Sequence, residues 1–236
     1  RRVLFRSQRL PRTLILGIAS MVLAFGIGIP LGVTAAVHQN GWGDRISMII
    51  ALLGVSIPTF WLAMLFVLLF SLKLGWFPAS GIGGWEYYVL PTVSLCFGGL
   101  ATQARQARSS MLEVIRADYV VTARSKGLTQ REVILKHALP NALNPIITLA
   151  GTNLAVIFGG SIVIENVFSF PGIGQYMITA INQRDYPIVR GCVVMLAVVF
   201  AVIMLLVDLC YAFNDPRIKA RYENQGKKKK PSKEGK

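Results

Sequence analysis

The sequence contains little charge for its length, and this shortage excludes most soluble architectures. Only 15% of its 236 residues are Asp, Glu, Lys or Arg, whereas 53% are hydrophobic. The mean hydropathy is +0.53. A soluble domain usually carries about 25% charged residues. The composition therefore predicts an integral membrane protein.

Side chains that catalyse reactions or bind metals are also scarce. The two histidines, His38 and His137, are far apart in the sequence, and the three cysteines form no CxxC spacing. Cys96, Cys192 and Cys210 fall in apolar segments, where we expect small buried hydrophobic side chains. The sequence contains no G-x-x-x-x-G-K-[ST] loop and so predicts no nucleotide site. We therefore expect no enzymatic activity, no metal site and no cofactor in this chain.

Five apolar segments are long enough, or nearly so, to cross about 30 Å of hydrocarbon. Glycines and prolines are frequent within them, and small residues let helices approach closely in lipid. We therefore expect an all-α, polytopic membrane helix bundle. The third segment is short and should continue as a helix beyond the membrane. The five predicted spans are residues 13–37, 46–72, 89–104, 145–164 and 188–213.

The positions of Lys and Arg predict which side of the membrane each connection occupies. Segments 105–144 and 214–236 are strongly basic, so the positive-inside rule places both in the cytoplasm. Span parity then places the nearly neutral segment 165–187 outside. The same parity places residues 1–12 outside, although they include five arginines. An additional span upstream, for a total of six, would remove this conflict. A genuine extracellular arginine cluster is the alternative. Residues 1–8 are treated as a separate N-terminal segment of doubtful origin.

Residues 105–144, which we call the polar island, interrupt the apolar sequence. The pattern of apolar residues predicts a helix over 111–126, followed by Gly127 as a left-handed C-terminal cap. Thr129 and Glu132 match a capping box at the start of a second, short helix. The polar island is therefore predicted to be a pair of helices joined at a glycine.

A helix pair of this kind has three candidate roles. Pro140 and Pro145 are expected to end the second helix and lead back into the membrane, which leaves no room for the third helix of a DNA-binding core. An amphipathic loop on the lipid headgroups is the second possibility. Ala123 and Gly127 favour the third, docking of a partner protein, because small residues at the turn allow close approach. The basic residues around that turn are Arg124, Lys126 and Arg131.

The spacing Ala123–x3–Gly127–x11–Leu139–Pro140 resembles the cytoplasmic loop of permease subunits of binding-protein-dependent ABC importers. The family pattern is Glu-Ala-Ala, three residues, Gly, nine residues and Ile-x-Leu-Pro. The amino-acid sequence of the loop resembles the dipeptide, oligopeptide and nickel branch of that family. Members normally begin with one more span and an external region.

Three positions of the loop depart from the wider family pattern. Val121 stands in place of the Glu, Thr122 in place of the first Ala, and His137 in place of the Ile, and these departures are usual in the branch. Other stretches also resemble the branch, and the last two of them resemble the first of its two paired permeases. These stretches are RLPRTL (9–14), SIPTFWLAMLFVLLFSLKLGWFPASG (56–81), ENVFSFPGIGQYMITAINQRDYPIVRG (165–191) and DLCYAFNDPRIK (208–219).

The resemblance implies a permease domain over 9–219 whose cytoplasmic coupling helix enters a groove of an ATPase subunit. Two such ATPase subunits would bind ATP and Mg, beside a second permease, an external solute-binding protein and membrane lipid, with no nucleic acid. The complex would lie in a bacterial or archaeal inner membrane and import peptides or a related solute such as a nickel chelate, with the C-terminus of this chain in the cytoplasm. The implied ATPase-docking residues are Thr122, Ala123, Arg124, Lys126, Gly127, Leu139 and Pro140.

A translocation path needs polar side chains that face the interior of the bundle. Hydroxyl groups in lipid also bond their own helix backbone, so that alternative stays open for each Ser and Thr. The candidates at membrane depth are Ser56, Thr148, Thr152, Asn153 and Ser161. The candidate contacts for an external binding protein are Arg184 and Asp185.

Two further features concern transport and the C-terminus. The central parts of the predicted spans contain no Asp or Glu, which disfavours a secondary transporter that couples ions through buried carboxylates. The tail at 220–236 is strongly basic and poor in apolar residues. We expect it to be disordered and to lie against anionic headgroups.

Overall fold

The computed structural model describes residues 2–214, and every regular element within them is a helix. This confirms the all-α class. Arg1, the side chains of residues 2–8 and the predicted tail at 220–236 lie outside the described part. The helices are α1 (Arg2–Val37), α2 (Trp42–Ser56), α3 (Thr59–Phe66, extended as a π-helix over Val67–Lys73), α4 (Glu86–Ile115), α5 (Asp118–Ser125), α6 (Gln130–Glu132, extended as a π-helix over Val133–Ala138), α7 (Leu139–Val167), α8 (Ile173–Asn182) and α9 (Tyr186–Asn214).

Three of the described helical segments are long and apolar enough to cross a membrane alone. They are Arg9–Val37, Pro145–Val167 and Tyr186–Val207. A fourth span results if α2 and the extended α3 count as one bent pair. The predicted third span, 89–104, lies within the continuous helix α4, whose apolar run is interrupted by polar side chains. The count of five spans stays a prediction.

The predicted second span, 46–72, consists of two helices that meet at a break. α2 ends at Ser56, and Ile57 takes an extended conformation with φ −85° and ψ 124°. Pro58 follows and precedes α3. Proline pushes the residue before it out of the helical region and has no backbone N–H to donate. The two halves therefore meet at an angle of 102°.

The central contact of the bundle joins α1 to α4. A Cβ atom on Gly28 would lie 2.8 Å from the backbone oxygen of Leu100, and one on Gly32 would overlap the backbone oxygen of Ala104. Only glycine allows two helices to approach so closely, so these positions confirm the predicted role of small residues in packing.

The apolar interior of one end of the bundle is formed mainly by α1, α4 and α7. Leu16, Leu95 and Ile164 are almost fully buried there, together with the aromatic rings of Phe168 and Phe170 that follow α7. Cys96 and Cys192 are buried, as predicted, and the side chain of Cys210 lies outside the described part.

Candidate functional site

The polar island folds against one end of α1 and α4. Ala36 of α1 and Met111 of α4 share an apolar cluster with Val120 and Ala123 of α5 and with Val133 of the following π-helix. Met111, Val120 and Val133 have no exposed surface. The island is therefore packed into the bundle, which argues against a loop lying freely on headgroups.

The helix predicted over 111–126 is two helices. α4 ends at Ile115, Ala117 takes an extended conformation with φ −74° and ψ 145°, and α5 begins at Asp118. The break turns the chain so that Val120 faces the apolar cluster. Asp118 in the first turn also favours a new start, because a negative charge stabilises a helix N-terminus.

The turn after α5 confirms the predicted caps. Gly127 has φ +80°, and its N–H donates to the backbone oxygen of Arg124 at 2.9 Å. The N–H of Thr129 donates to the Glu132 carboxylate at 3.2 Å, and the N–H of Glu132 donates to the Thr129 hydroxyl oxygen at 3.4 Å. Both halves of the capping box are thus present. Hydrogen bonds from Thr129, supported by Lys136, lower the pKa of Glu132.

The prediction that Pro140 and Pro145 end the second helix was wrong. The chain continues from α6 through the π-helix Val133–Ala138 directly into α7, with Pro140 in the first turn of α7 and Pro145 further inside it. Because helix precedes Pro140, its missing N–H leaves the carbonyl of an earlier turn without its usual helical partner. The Asn141 side chain also donates to the backbone oxygen of His137 at 2.9 Å, which satisfies one carbonyl near the junction.

The predicted ATPase-docking residues divide into an exposed group and two packed residues. Ala123 is only 5% exposed and belongs to the apolar cluster, so it does not present a small residue at the surface as the sequence analysis expected. Leu139 packs partly against the same cluster. The exposed members, which we call the docking surface, are Thr122, Arg124, Lys126, Gly127 and Pro140.

Gly127 leaves room beside the docking surface. A Cβ atom at this position would meet nothing within 4 Å. Next to it lies a groove of about 290 Å³. The backbone angle at Gly127 favours glycine, and the space around it stays available to a partner. The groove is lined by Tyr119, Thr122, Ala123, Lys126, Leu128 and His137.

Most of the predicted path residues bond their own helix. The hydroxyl groups of Ser56, Thr152 and Ser161 donate to the backbone oxygens of residues 52, 149 and 158 at 2.8 Å each. Thr148 is exposed on α7. Asn153 differs, because it is 8% exposed and its Nδ2 atom has no hydrogen-bond partner. Four of these residues lie on α7, and Ser56 is the last residue of α2.

Gln103 of α4 is a second buried amide, which the sequence analysis missed. It has no exposed surface, and neither Nε2 nor Oε1 has a hydrogen-bond partner. A Cβ atom on Gly99 would lie 3.6 Å from Ile157 of the antiparallel helix α7. The Gln103 side chain itself faces α1, because a Cβ atom on Gly28 would lie 3.1 Å from the Gln103 Cβ atom. The sequence offered one signal for the burial of Gln103: it follows Gly99 by four residues and so lies on the same packed face of α4.

An ion pair fixes the connection between α1 and α2, and it too was missed. The Arg108 guanidinium donates to the two carboxylate oxygens of Asp44 at 2.6 and 2.7 Å. The N–H of Asn40 donates to the same carboxylate at 2.9 Å. Asp44 is 3% exposed. The pair therefore ties the start of α2 to α4, close to the polar island.

Glu165, near the end of α7, is the centre of a buried hydrogen-bond network. Its Oε1 atom accepts from the Thr13 hydroxyl of α1 at 2.6 Å, and its Oε2 atom accepts from the N–H of Gln175 at 3.1 Å. The Thr13 hydroxyl oxygen in turn accepts from the N–H of Ile173 at 2.9 Å. Glu165 has no exposed surface and Thr13 has 1%. The network joins α1, α7 and the start of α8.

Two arginines of α1 support the same network. Arg9 and Arg12 donate to the backbone oxygens of Gly172 and Pro171 at 3.5 and 3.4 Å. The Arg9 guanidinium also lies 4.7 Å from the centre of the Tyr176 ring, a cation–π contact. These arginines and segment 165–187 therefore lie at the same end of the bundle, as span parity predicts. We call Arg9, Arg12, Thr13, Glu165 and segment 171–175 the Glu165 clamp.

The predicted contacts for a binding protein lie in the turn between α8 and α9. Arg184 is exposed and has φ +56°. Asp185 accepts a hydrogen bond through Oδ1 from the N–H of Ile188 at 3.2 Å and so caps the start of α9. Arg184 thus presents its charge outward, while Asp185 has a structural role within the turn.

Known proteins share the sequence pattern of this chain. The family model for the binding-protein-dependent transport system inner membrane component matches residues 28–220. The dipeptide transport system permease protein DppB of Bacillus subtilis (strain 168) is 47% identical over 204 residues, 86% of this chain and 66% of DppB. The glutathione transport system permease protein GsiC of Escherichia coli (strain K12) is 41% identical over 213 residues, 90% of this chain and 70% of GsiC. The chain spans about two thirds of the length of these relatives.

Solved structures share its fold. An inward facing structure of the MetNI methionine ABC transporter matches with a TM-score of 0.77 at 21% identity, covering 91% of this chain and 98% of its own. An amino acid ABC transporter solved with histidines matches with a TM-score of 0.62 at 16% identity, covering 92% and 95%. These identities are low, so the likeness concerns the fold alone, and it confirms the predicted membrane helix bundle.

Proposed function

The chain belongs to the family of inner membrane components of binding-protein-dependent transport systems, and on this premise we propose that it is a permease subunit of an ATP-driven importer of short peptides. The family match over residues 28–220 carries the proposal. The names of the similar permeases specify dipeptide and glutathione transport, which supports a short peptide as the cargo.

The docking surface is the coupling element of this importer. Two cytoplasmic ATPase subunits bind and hydrolyse ATP, and one of them receives the surface formed by Thr122, Arg124, Lys126, Gly127 and Pro140. The buried cluster beneath supports this role, because a surface fixed to α1 and α4 transmits movement as a rigid body. Gly127 supports it as well, since the space beside it admits close contact.

A second permease and an external solute-binding protein complete the proposed complex. Only 6% of the apolar stretch in α9 is buried within the chain, so lipid or a second permease covers the rest. The turn with Arg184, beyond the Glu165 clamp, lies at the end of the bundle that span parity assigns to the outside. It is the candidate contact for the binding protein.

Substitution of Gly127 tests the coupling role. Gly127→Arg fills the space beside the docking surface, and we expect peptide uptake and transport-coupled ATP hydrolysis to fall at least tenfold while membrane insertion is unchanged. Gly127→Asn is the matched control, because Asn tolerates the left-handed conformation with a small side chain. Uptake of a radiolabelled dipeptide by cells and ATP hydrolysis by the purified complex measure the effect. Normal coupled hydrolysis in Gly127→Arg would contradict the docking role.

A further inference from the structure

We propose that Glu165 and Thr13 are positioning residues for the external partner, because they lock the start of α8 to α1. This inference rests on the proposed function, in which the turn after α8 meets the solute-binding protein. The clamp makes the position of that turn depend on α1, whose other end lies against the docking surface. A buried carboxylate, and not only exposed residues such as Arg184, would therefore determine the contact with the binding protein.

The Glu165 carboxylate is satisfied by groups from different parts of the chain. One oxygen accepts from Thr13 of α1, and the other accepts from the N–H of Gln175 in α8. Because Thr13 also accepts from the N–H of Ile173, one hydroxyl group bridges α7 and α8. A buried carboxyl group needs such partners, and the removal of any one of them leaves a costly unpaired polar group.

Glycines shape the segment around the carboxylate. A Cβ atom on Gly172 would overlap the Glu165 carboxylate, and one on Gly174 would lie 2.9 Å from its Oε2 atom. The backbone of this segment therefore wraps directly around Glu165. The carbonyl oxygens of Gly172 and Pro171 in this segment accept hydrogen bonds from Arg9 and Arg12. The start of α8 cannot move away from α1 without breaking this network.

α1 connects the clamp to the docking surface. About 23 residues separate Thr13 from Ala36, which corresponds to about 35 Å of helix. Ala36 lies in the same buried cluster as Val120 of α5, directly beneath the docking surface. The close approach of Gly28 to α4 makes the two helices move together. Closure of the ATPase subunits on the docking surface thus shifts α1 and, through Thr13, the start of α8.

A pair of substitutions at position 13 tests this proposal in the complete transporter. Thr13→Val keeps the shape but removes the hydroxyl group, whereas Thr13→Ser keeps the hydroxyl group. We expect Thr13→Val to lower the stimulation of ATP hydrolysis by the binding protein, and radiolabelled dipeptide uptake, at least fivefold. Basal hydrolysis without the binding protein should change less than twofold, and Thr13→Ser should behave as the unchanged protein. Glu165→Gln should reproduce the loss.

A second hydroxyl of α1 provides the control for helix packing. Ser20 is fully buried, and its hydroxyl donates to the backbone oxygen of Leu16 in its own helix at 2.7 Å and reaches that of Thr92 in α4 at 3.3 Å. Neither contact involves the Glu165 clamp, so Ser20→Ala should leave stimulation unchanged. Stimulation that survives in Thr13→Val would overturn the proposal. Equal loss of basal and stimulated hydrolysis would also overturn it, because that pattern means general destabilisation. If the unchanged complex neither takes up dipeptide nor responds to its binding protein, the proposed function itself is wrong.

Discussion

Breaking the ion pair between Asp44 and Arg108 should be among the most damaging single changes near the polar island. Asp44→Ala leaves the Arg108 guanidinium without the carboxylate that accepts both of its hydrogen bonds, at 2.6 and 2.7 Å. The loss of one partner from a buried pair costs about 3–5 kcal/mol. The Asp44 side chain is 5% exposed and that of Arg108 is 24% exposed, so water partly compensates the arginine. We therefore expect the lower end, about 3 kcal/mol.

The double substitution separates the unpaired charge from the loss of the pair itself. Asp44→Leu with Arg108→Met replaces both partners by apolar groups, which is often neutral for a buried pair. We expect this double variant to recover most of the free energy of unfolding lost in Asp44→Ala. Titration with sodium dodecyl sulfate in mixed micelles, followed by circular dichroism, measures that free energy.

The result that refutes this reasoning is specific. A loss of about 1 kcal/mol or less in Asp44→Ala is typical of an exposed pair, and would mean that water screens the contact. A double variant no more stable than Asp44→Ala would mean that the polar shape of the site, rather than its charge balance, holds the connection between α1 and α2.

Two further predictions concern Gln103 and the capping box. Gln103→Met removes a buried amide without a partner at similar volume, so the free energy of unfolding should stay unchanged or rise by about 1 kcal/mol; a clear loss in the same titration would show that the amide is bonded. Hydrogen bonds from Thr129 lower the pKa of Glu132. The capping box therefore stabilises the short helix fully at pH values above the ordinary Glu pKa of about 4.3, and this contribution is lost as the pH falls through the lowered pKa. Hydrogen exchange at the Glu132 and Val133 amides should therefore gain less protection at pH 3 than at pH 7, with Thr129→Ala as the variant that abolishes the difference.

Features set by near neighbours in the sequence could be predicted. The caps at Gly127 and Thr129 depend on backbone angles and on side chains within three residues, and the structure confirms them. The long apolar helices were also predictable, because their composition matches the thickness of a bilayer.

Features that depend on partners far away in the sequence could not be predicted. Thr13 and Glu165 are 152 residues apart, and Asp44 and Arg108 are 64 apart, so nothing local marks either pair. Glu165 was treated only as the first residue of an external segment.

The outcomes at prolines have a related cause. Pro58 ends a helix because the preceding residue becomes extended, whereas Pro140 lies in the first turn of α7 and does not. The sequence around each proline is compatible with either outcome, and the packing of the neighbouring helices decides between them. The break at Ala117 likewise follows from the burial of Val120, which the helical pattern of 111–126 did not show.

The polar island is connected rigidly to α7 but flexibly to α4. On one side, helix continues from Gln130 through the π-helix to Val167, with no loop to absorb displacement. On the other side, the non-helical residues Arg116 and Ala117 form a joint between α4 and α5. Under the proposed docking role, a displacement of the docking surface would pass into α7 through continuous helix, whereas the joint at Arg116 and Ala117 would leave α4 in place against α1.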